Sequence, residues 1–381
     1  MPSSLAPRSD APEAQAAVER ALADLRRGVP VVLCDDASAG ALLVQALEGL
    51  GEADLARFAR LAGTQISLLL TARRAAALGF RPPGGHQGTG IVALPVDDRR
   101  AGDLVALADV TGGRPAHLSG DAAARAEPAE AAEAAIQLVK LARLLPAVIA
   151  APLREGGEEA ARTWARKHAL LAVDAPAVAG YRRLTDGNLR EVAAAQVPLA
   201  GAENARVVAF RPADGGQEHL AVVIGEPREG EPVLVRLHSE CLTGDLLGSL
   251  RCDCGDQLRG AIDAIGKEGA GVLLYLSQEG RGIGLVNKLR AYELQDRGMD
   301  TAEANEQLGF EPDERVYVPA AEMLRHLGFR RVRLLTNNPQ KVAALEACGI
   351  EVAERVAHRF PSNRHNEPYL SAKQRHFGHI F

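Results

Sequence analysis

Three of the chain's five cysteines fall within residues 236–258, R-L-H-S-E-C-L-T-G-D-L-L-G-S-L-R-C-D-C-G-D-Q-L. Cys252 and Cys254 are two apart, so on an extended strand or tight turn their thiols point the same way. Cys241 lies ten intervening residues upstream, a span that a hairpin could fold back. Three soft ligands without an obvious fourth match a catalytic zinc, which keeps one position open for water. The same spacing also fits a structural zinc completed by His238 or a distant side chain, or three ordinary buried cysteines.

Two further stretches suit an anion. Residues 271–276 read as a buried strand running into Q-E-G-R-G-I-G at 278–284, and the following helix has apolar positions at Leu285, Val286, Leu289 and Tyr292. A glycine-rich turn between strand and helix lets backbone N–H groups approach phosphate oxygens, and the helix N-terminus favours negative charge. Arg281 adds a bidentate donor. The pattern is neither the Walker lysine motif nor G-x-G-x-x-G, and taken alone it equally fits a structural tight turn. A second strand, residues 332–335, leads into T-N-N-P-Q-K at 336–341. Asn338 as N-cap and Pro339 at the first position start a helix that ends at Gly349, placing Thr336 and Lys341 around its N-terminus. Capping alone would also account for the Asn-Pro pair. Between the two stretches, P-D-E-R at 312–315 sets Asp313 and Arg315 two apart in a loop, by default a solvated surface pair.

These residues need a scaffold, and 381 residues are enough for two domains with separate cores. A composition of 47% hydrophobic and 24% charged residues is that of a globular protein. The net charge of −5 argues against a nucleic-acid partner. The opening M-P-S-S-L-A-P-R-S-D lacks the apolar core of a secretory signal, and the apolar run at 144–153 is too short for a bilayer. An odd cysteine count with three clustered points to metal binding in a reducing compartment, the cytoplasm, rather than to disulfides. Cys34 and Cys348 sit in apolar surroundings and read as core residues.

Residues 1–13 read as a disordered N-terminus, 14–188 as a first domain and 189–381 as a second. Both are α/β (α+β), each a mixed sheet with packed helices. In the first, helices are expected at 16–27, 40–50, 53–62 and 128–144, strands at 30–34, 66–70 and 147–150, and a further apolar run lies near 91–95. In the second, strands at 207–210, 220–224 and 233–237, separated by Gly/Pro/Asp turns, suggest a largely antiparallel sheet carrying the cysteine loop. Helices follow at 257–265 and 320–327, and 182–200 reads as the connection between domains. The tail from His358, with His365, His376 and His379, shows no ligand spacing and reads as flexible or packed on a partner.

Over roughly residues 14–185 the order of elements resembles 3,4-dihydroxy-2-butanone-4-phosphate synthase: a leading helix, a strand ending in Asp35-Asp36, and R-P-A-H at 114–117. The family's acidic run that would hold magnesium is replaced here by Ala37-Ser38-Ala39-Gly40. Its Gly-His-Thr-Glu motif is replaced by E-P-A-E-A-A-E at 127–133. The resemblance therefore implies an inactive relative kept for structure, dimerisation or regulation. The alternative is residual activity carried by Asp35, Asp36, His117 and Glu133.

The second half is more specific. H-S-E-C-L-T-G-D, S-L-R-C-D-C-G, Q-E-G-R-G-I-G-L, N-K-L-R-A-Y, E-A-N-x-x-L-G-F, D-E-R and R-L-L-T-N-N-P together resemble GTP cyclohydrolase II over about residues 190–381. That family converts GTP to 2,5-diamino-6-ribosylamino-4(3H)-pyrimidinone 5′-phosphate, formate and diphosphate, the first step of riboflavin biosynthesis. The resemblance implies zinc on Cys241, Cys252 and Cys254. It implies GTP contacts at Arg236, Leu237, His238, Ser239, Glu240, Gln257, Glu279, Gly280, Arg281, Thr301, Thr336 and Lys341. It also implies Asp313 as proton acceptor, Arg315 as nucleophile toward the α-phosphate, and Tyr292 in opening the imidazole ring. Magnesium would accompany the triphosphate, and a homodimer is expected. Ser277 stands where members often carry arginine, which puts one phosphate contact in doubt.

Hydrolysis at C8 of guanine needs a strong nucleophile near neutral pH, which a zinc-held water with its pKa lowered to roughly 7 supplies. Three thiolates would temper that acidity. Arginine is an awkward nucleophile because its guanidinium stays protonated, so electrostatic stabilisation by Arg315 is the simpler role. Rival readings are a cyclohydrolase acting in another pathway, a non-catalytic scaffold, and a bifunctional enzyme. On this reading His238 faces substrate rather than metal.

Overall fold

The computed structural model describes residues 11–35, 40–80, 90–96, 100–109, 111, 124–126, 129–154 and 157–361. Asp36, the 114–117 stretch and His365, His376 and His379 lie outside them. Two units are distinguished. One holds residues 1–182 with 289–297 and 303–312, and the other holds 183–288, 298–302 and 313–381. Two short segments from the second half of the sequence therefore group with the first unit.

The first unit runs α1 (Ala11–Arg26), β1 (Val31–Asp35), β2 (Gly40–Ala46), α2 (Glu52–Ala62), β3 (Ser67–Thr71), α3 (Ala72–Ala77), β4 (Ile91–Pro95) and α4 (Ala101–Ala108). It continues with β5 (Ala124–Arg125), α5 (Ala129–Leu141), β6 (Ala147–Pro152), α6 (Glu158–Lys167), β7 (Leu171–Asp174) and α7 (Ala175–Asp186). Its sheet has the order β5-β4-β3-β6-β2-β1-β7. Val18, Leu22 and Leu25 of α1 and Ala135, Leu138 and Val139 of α5 pack with Leu33, Leu42 and Val44 in one core.

The helix expected at 40–50 is instead strand β2. G-A-L-L-V-Q-A is apolar at consecutive positions, with no polar face for a surface helix to present. Between β1 and β6 it is buried on both faces, and even Gln45 is only 1% exposed. The two late segments are tied to this unit by ion pairs and carbonyl bonds. Arg73 meets Glu306 at 2.6 Å, Arg290 meets Glu48 at 3.2 Å and Asp109 at 3.0 Å, and buried Arg74 donates to the Leu107 and Gln307 carbonyls at 2.8 and 2.7 Å.

The second half of the chain contains β8 (Leu189–Gln196), β9 (Ala205–Pro212), β10 (His219–Ile224), β11 (Val233–Ser239), α8 (Cys254–Glu268) and β12 (Gly271–Leu276). After them come α9 (Leu285–Asp296), α10 (Thr301–Gln307), α11 (Val318–His326), β13 (Arg331–Leu335), α12 (Pro339–Ala347) and β14 (Glu351–Val356). The sheet order is β14-β13-β11-β12-β10-β9-β8. Only the β8-β9-β10-β12 side is antiparallel; β12, β11, β13 and β14 run parallel. The sheet is therefore mixed, not largely antiparallel, because helices α8, α9, α11 and α12 supply the crossovers that parallel neighbours need. The expected connection at 182–200 is mostly structured, with only Gly187 and Asn188 between α7 and β8. No helix among the described residues is long and apolar enough to cross a membrane.

Strand β11 is central and buried on both faces, so its alternation decides where side chains go. Val233, Val235 and Leu237 enter the core beneath α11, whereas Leu234 packs with Ala261 and Ile265 of α8. Arg236 and His238 share the α8 face with Leu234. The carboxyl ends of β11, β12 and β13 lead into the cysteine loop, the 277–284 turn and the 336–338 cap respectively. Ligands of open α/β sheets bind at such ends.

Candidate active site

Cys241 lies two residues beyond the end of β11 and caps a π-helical turn, Leu242–Leu246, whose Gly244 N–H points at its sulfur at 3.4 Å. Cys254 is the first residue of α8, and Cys252 lies two residues before it. The pair is thus placed by a tight turn running into a helix start, the second of the two alternatives, and not by an extended strand. The three ligand sulfurs lie within 4.8 Å of one another, and Cys241 and Cys252 are 3.8 Å apart. A tetrahedral zinc with sulfur bonds of about 2.3 Å requires an edge of about 3.8 Å. All five cysteines are free, so the proximity is not a disulfide.

Gly244 makes the convergence sterically feasible. A Cβ there would lie 2.7 Å from Cys252 Sγ and 3.1 Å from Cys241 Sγ, inside any normal contact. Donor chemistry, spacing and this cradle all fit a thiophilic divalent cation. Gly244→Ala is expected to cost roughly 1–3 kcal/mol through overpacking and to weaken metal retention. Urea unfolding with metal analysis checks both.

A polar shell organises the cysteine loop. Asp245 accepts from the Cys241 backbone N–H, the Tyr275 hydroxyl and His238 Nε2, each at 3.0 Å. His238 is therefore committed to Asp245. Among the described residues it is not part of the metal-capable cluster, which consists of the three cysteines. Burial pushes its pKa below the ordinary value, against the opposing pull of Asp245, so the ring is neutral. Its Nδ1 is buried without a partner among the described residues. Within the sulfur trio, hydrogen bonds from Cys252 and Cys254, together with Lys288, favour the thiolate at Cys241. The other two thiols are pushed up in exchange.

A cationic patch adjoins this shell. Arg236 is 5% exposed and donates to the Leu335 carbonyl at 2.9 Å and to Gln257 Oε1 at 2.5 Å, while its Nε has no partner among the described residues. Burial lowers its pKa to about 10, which leaves it charged at neutral pH, and it feels Asp253, Cys254, Tyr317 and Arg315. Arg281 lies at φ 61° beside Gly280 at 64°, and the left-handed region costs a side chain roughly 1–2 kcal/mol. That backbone carries the turn against the next loop, where the Glu314 N–H donates to the Arg281 carbonyl at 3.1 Å. Arg315 is bidentate on Asp313 at 2.8 and 2.5 Å and is largely buried, so the pair is not a solvated surface bridge. Burial works against the Asp313 charge, but Arg315 outweighs it and holds the carboxyl below its usual range. Burial raises the Tyr317 pKa, and its hydroxyl lies in the field of Arg315, Asp313, Arg281 and Arg236.

The remaining expected residues are placed as follows. Leu237 offers its carbonyl to Lys341 Nζ at 3.1 Å, and Ser239 accepts from Gln278 at 2.9 Å. The Glu240 N–H bonds the Leu276 carbonyl at 2.8 Å. Gln257 on α8 also donates to Asp253, and Thr336 accepts from the Asn338 N–H at 3.0 Å. The Asn338 cap is formed as the spacing indicates, through the Gln340 N–H. Glu279 is turned inward, bonding the Leu242 N–H at 2.7 Å and Lys288 at 2.8 Å. Thr301 opens α10. Tyr292 lies on the part of α9 that groups with the first unit. Spacing and composition do not single out Asp245, Lys288, Tyr317 or Gly244, although Gly244 and Asp245 lie in H-S-E-C-L-T-G-D and Lys288 in N-K-L-R-A-Y.

His358 corrects the flexible-tail expectation. It is buried, and its Nε2 pairs with the Gln257 carbonyl at 2.8 Å while Asn337 bonds its backbone. Burial, then the nearby Arg236 charge, lowers its pKa to about 4. The unfolded chain therefore binds the proton first as pH falls. The stability His358 contributes is complete above pH ~6.5 and declines as pH drops toward 4, by on the order of 3 kcal/mol in full. His358→Gln is expected to flatten the loss of urea stability between pH 7 and 5.

Comparison with known proteins is consistent with this geometry. The GTP cyclohydrolase II family model matches residues 190–357. GTP cyclohydrolase-2 of Azospirillum brasilense is 53% identical over 388 residues, covering 100% of this chain and 97% of that protein. Riboflavin biosynthesis protein RibBA of Aquifex aeolicus is 45% identical over 248 residues, 64% of this chain and 61% of that one. Among solved structures, a two-domain 3,4-dihydroxy-2-butanone 4-phosphate synthase from A. baumannii overlaps 90% of this chain and 99% of its own at 19% identity and a TM-score of 0.37. Full-length identity above one half places the chain without ambiguity: it belongs to the GTP cyclohydrolase II family.

Proposed function

We propose that this enzyme hydrolyses GTP to 2,5-diamino-6-ribosylamino-4(3H)-pyrimidinone 5′-phosphate, formate and diphosphate, opening riboflavin biosynthesis. The observation that carries the reading is one arrangement: three sulfurs within 4.8 Å of one another, one pair at the 3.8 Å of a tetrahedral edge, with buried side-chain nitrogens nearby that have no partner among the described residues. Cys241, Cys252 and Cys254 would hold one zinc, which when bound supplies Lewis-acid activation of water for attack at C8.

Every other role falls to the chain's own groups. Arg236 Nε and His238 Nδ1 are buried and have no partner among the described residues, so a bound purine nucleotide would satisfy atoms that otherwise cost free energy. Arg281, Arg315 and Lys341 suit the triphosphate, to which magnesium would be bound, and fixed cations of this kind stabilise charge that develops on a leaving diphosphate. Asp313 is held ionised by its bidentate bond and so serves better to aim Arg315 than to accept a proton. Arg315, aimed and kept protonated by that bond, acts electrostatically rather than as a covalent nucleophile. Glu279, occupied by Lys288 and the Leu242 N–H, shapes the loop instead of touching GTP.

The first domain, read as 14–188, is proposed to be inactive as a 3,4-dihydroxy-2-butanone-4-phosphate synthase. Ala37-Ser38-Ala39-Gly40 replaces the acidic run of that family, and Glu133 is exposed on α5. A cytoplasmic homodimer completes the reading. Supplying the full chain with GTP, zinc and magnesium should give one formate and one diphosphate per pyrimidine product. GTP turnover without formate would refute the reaction, and release of formate from ribulose 5-phosphate would refute the inactive first domain.

A further inference from the structure

Lys288 has no role in the reading above, yet it is among the most constrained cations in the chain. It lies in the first turn of α9 and is 8% exposed. Its Nζ is 3.0 Å from Cys241 Sγ, 2.9 Å from Thr243 Oγ1 and 2.8 Å from Glu279 Oε1. Glu279 is 5% exposed and is itself fixed, since its other oxygen takes the Leu242 N–H at 2.7 Å and Oε1 takes the Gly280 N–H at 2.8 Å. Burying an ammonium is costly unless it is paired and hydrogen-bonded. Here the pairing fixes its position: the carboxylate holds one side, and the sulfur of a metal-ligating residue receives another N–H.

Three thiolates carry one more negative charge than a divalent cation neutralises. They also donate strongly enough to blunt its Lewis acidity. A cationic donor bonded to one sulfur draws electron density from it and offsets the surplus charge, as partners of metal ligands commonly do. We propose that Lys288, aimed by Glu279 and Thr243, is a positioning residue that withdraws charge through the Cys241 sulfur and so keeps the metal in the three-cysteine centre acidic enough for the hydrolytic step. This rests on the proposed metal and reaction, but its primary readout needs neither GTP nor turnover.

The test uses the full-length protein reconstituted anaerobically with cobalt(II), whose sulfur-to-metal charge-transfer band reports how electron-rich the thiolates are. Lys288→Met is expected to move that band to lower energy with no GTP present, at unchanged cobalt stoichiometry. Lys288→Arg, which keeps a cationic donor, should stay close to the unmutated protein. In the zinc enzyme, Lys288→Met should lower kcat by about 10- to 100-fold while KM for GTP stays within about twofold. A residue that only props up the loop would lower activity without moving the band, so an unmoved band overturns the proposal. An unchanged kcat overturns it as well. If Lys288→Met does not fold, Glu279→Gln reads the same contact, and a band identical to the unmutated protein's would overturn the idea equally. Absence of formate production by the unmutated enzyme would instead sink the proposed reaction and leave the band result standing.

Discussion

Cys252→Ser is expected to lower kcat/KM for GTP by about a thousandfold or more and to reduce bound zinc well below one per chain. A metal acting as Lewis acid is worth several kcal/mol of transition-state stabilisation, and every ~1.4 kcal/mol is tenfold in rate. Cys252 is the right member to replace. It lies 3.8 Å from Cys241 and close to Gly244, and it is Cys241, not Cys252, whose sulfur receives the buried Lys288 ammonium, so replacing Cys252 does not strip that cation of a partner. Serine is smaller and harder, so it fits the cradle without strain yet binds zinc poorly at neutral pH. Element analysis and the formate assay on one preparation decide the matter. Zinc lost with activity kept would mean that the sulfur centre is not catalytic. Zinc kept with activity lost would assign Cys252 a role other than ligation.

The elements that position this centre are largely legible in the amino-acid sequence. β12 has its expected ends, Gly271 and Leu276, and Asn338 with Pro339 starts α12 as capping chemistry requires. Both signals are local, a buried apolar run in one case and side-chain to backbone bonding in the other. Local reading fails where neighbours decide. G-A-L-L-V-Q-A at 40–46 is ambiguous in isolation and becomes a strand because β1 and β6 flank it. The parallel half of the second sheet is invisible to strand patterns, because strand direction is set by crossover helices that those patterns do not record.

The site divides along the same line. The three cysteines are recognisable by spacing, although their mutual placement comes from a π-helical turn and a helix start that spacing does not specify. Spacing gives Lys288 no role, and the family pattern reads Glu279 as a GTP contact. One cause covers both: a buried ion pair between residues nine apart becomes evident only when the 278–284 turn folds back over the cysteine loop. Asp245 is inconspicuous for a similar reason. Its four bonds gather His238, Tyr275 and the Cys241 backbone from two strands and the loop between them.

Arg315→Met should leave zinc at one per chain and lower kcat by roughly 100- to 1,000-fold, the range seen when one preorganised donor to developing charge is lost. Two effects add in this variant. The triphosphate loses a cation, and Asp313, largely buried, loses the partner that keeps its pKa low. The sign of the second effect follows from the direction of that shift. Arg315 holds the native Asp313 below its unfolded value, so the pair contributes stability above that value, and the contribution is lost as pH falls through the folded one. Removing Arg315 leaves burial as the dominant influence, which raises the Asp313 pKa. The variant should therefore be less stable than the parent at neutral pH and converge with it in acid. Arg315→Lys tests geometry separately from charge. An ammonium cannot reproduce the two-pronged bond to Asp313, so most of the kcat loss should persist even though charge is conserved. If Arg315→Lys restores full activity, only net charge matters at this position. If mass spectrometry traps a guanylyl adduct on Arg315 in the unmutated enzyme, the electrostatic assignment gives way to covalent catalysis, for which the bond to Asp313 would have to open during turnover.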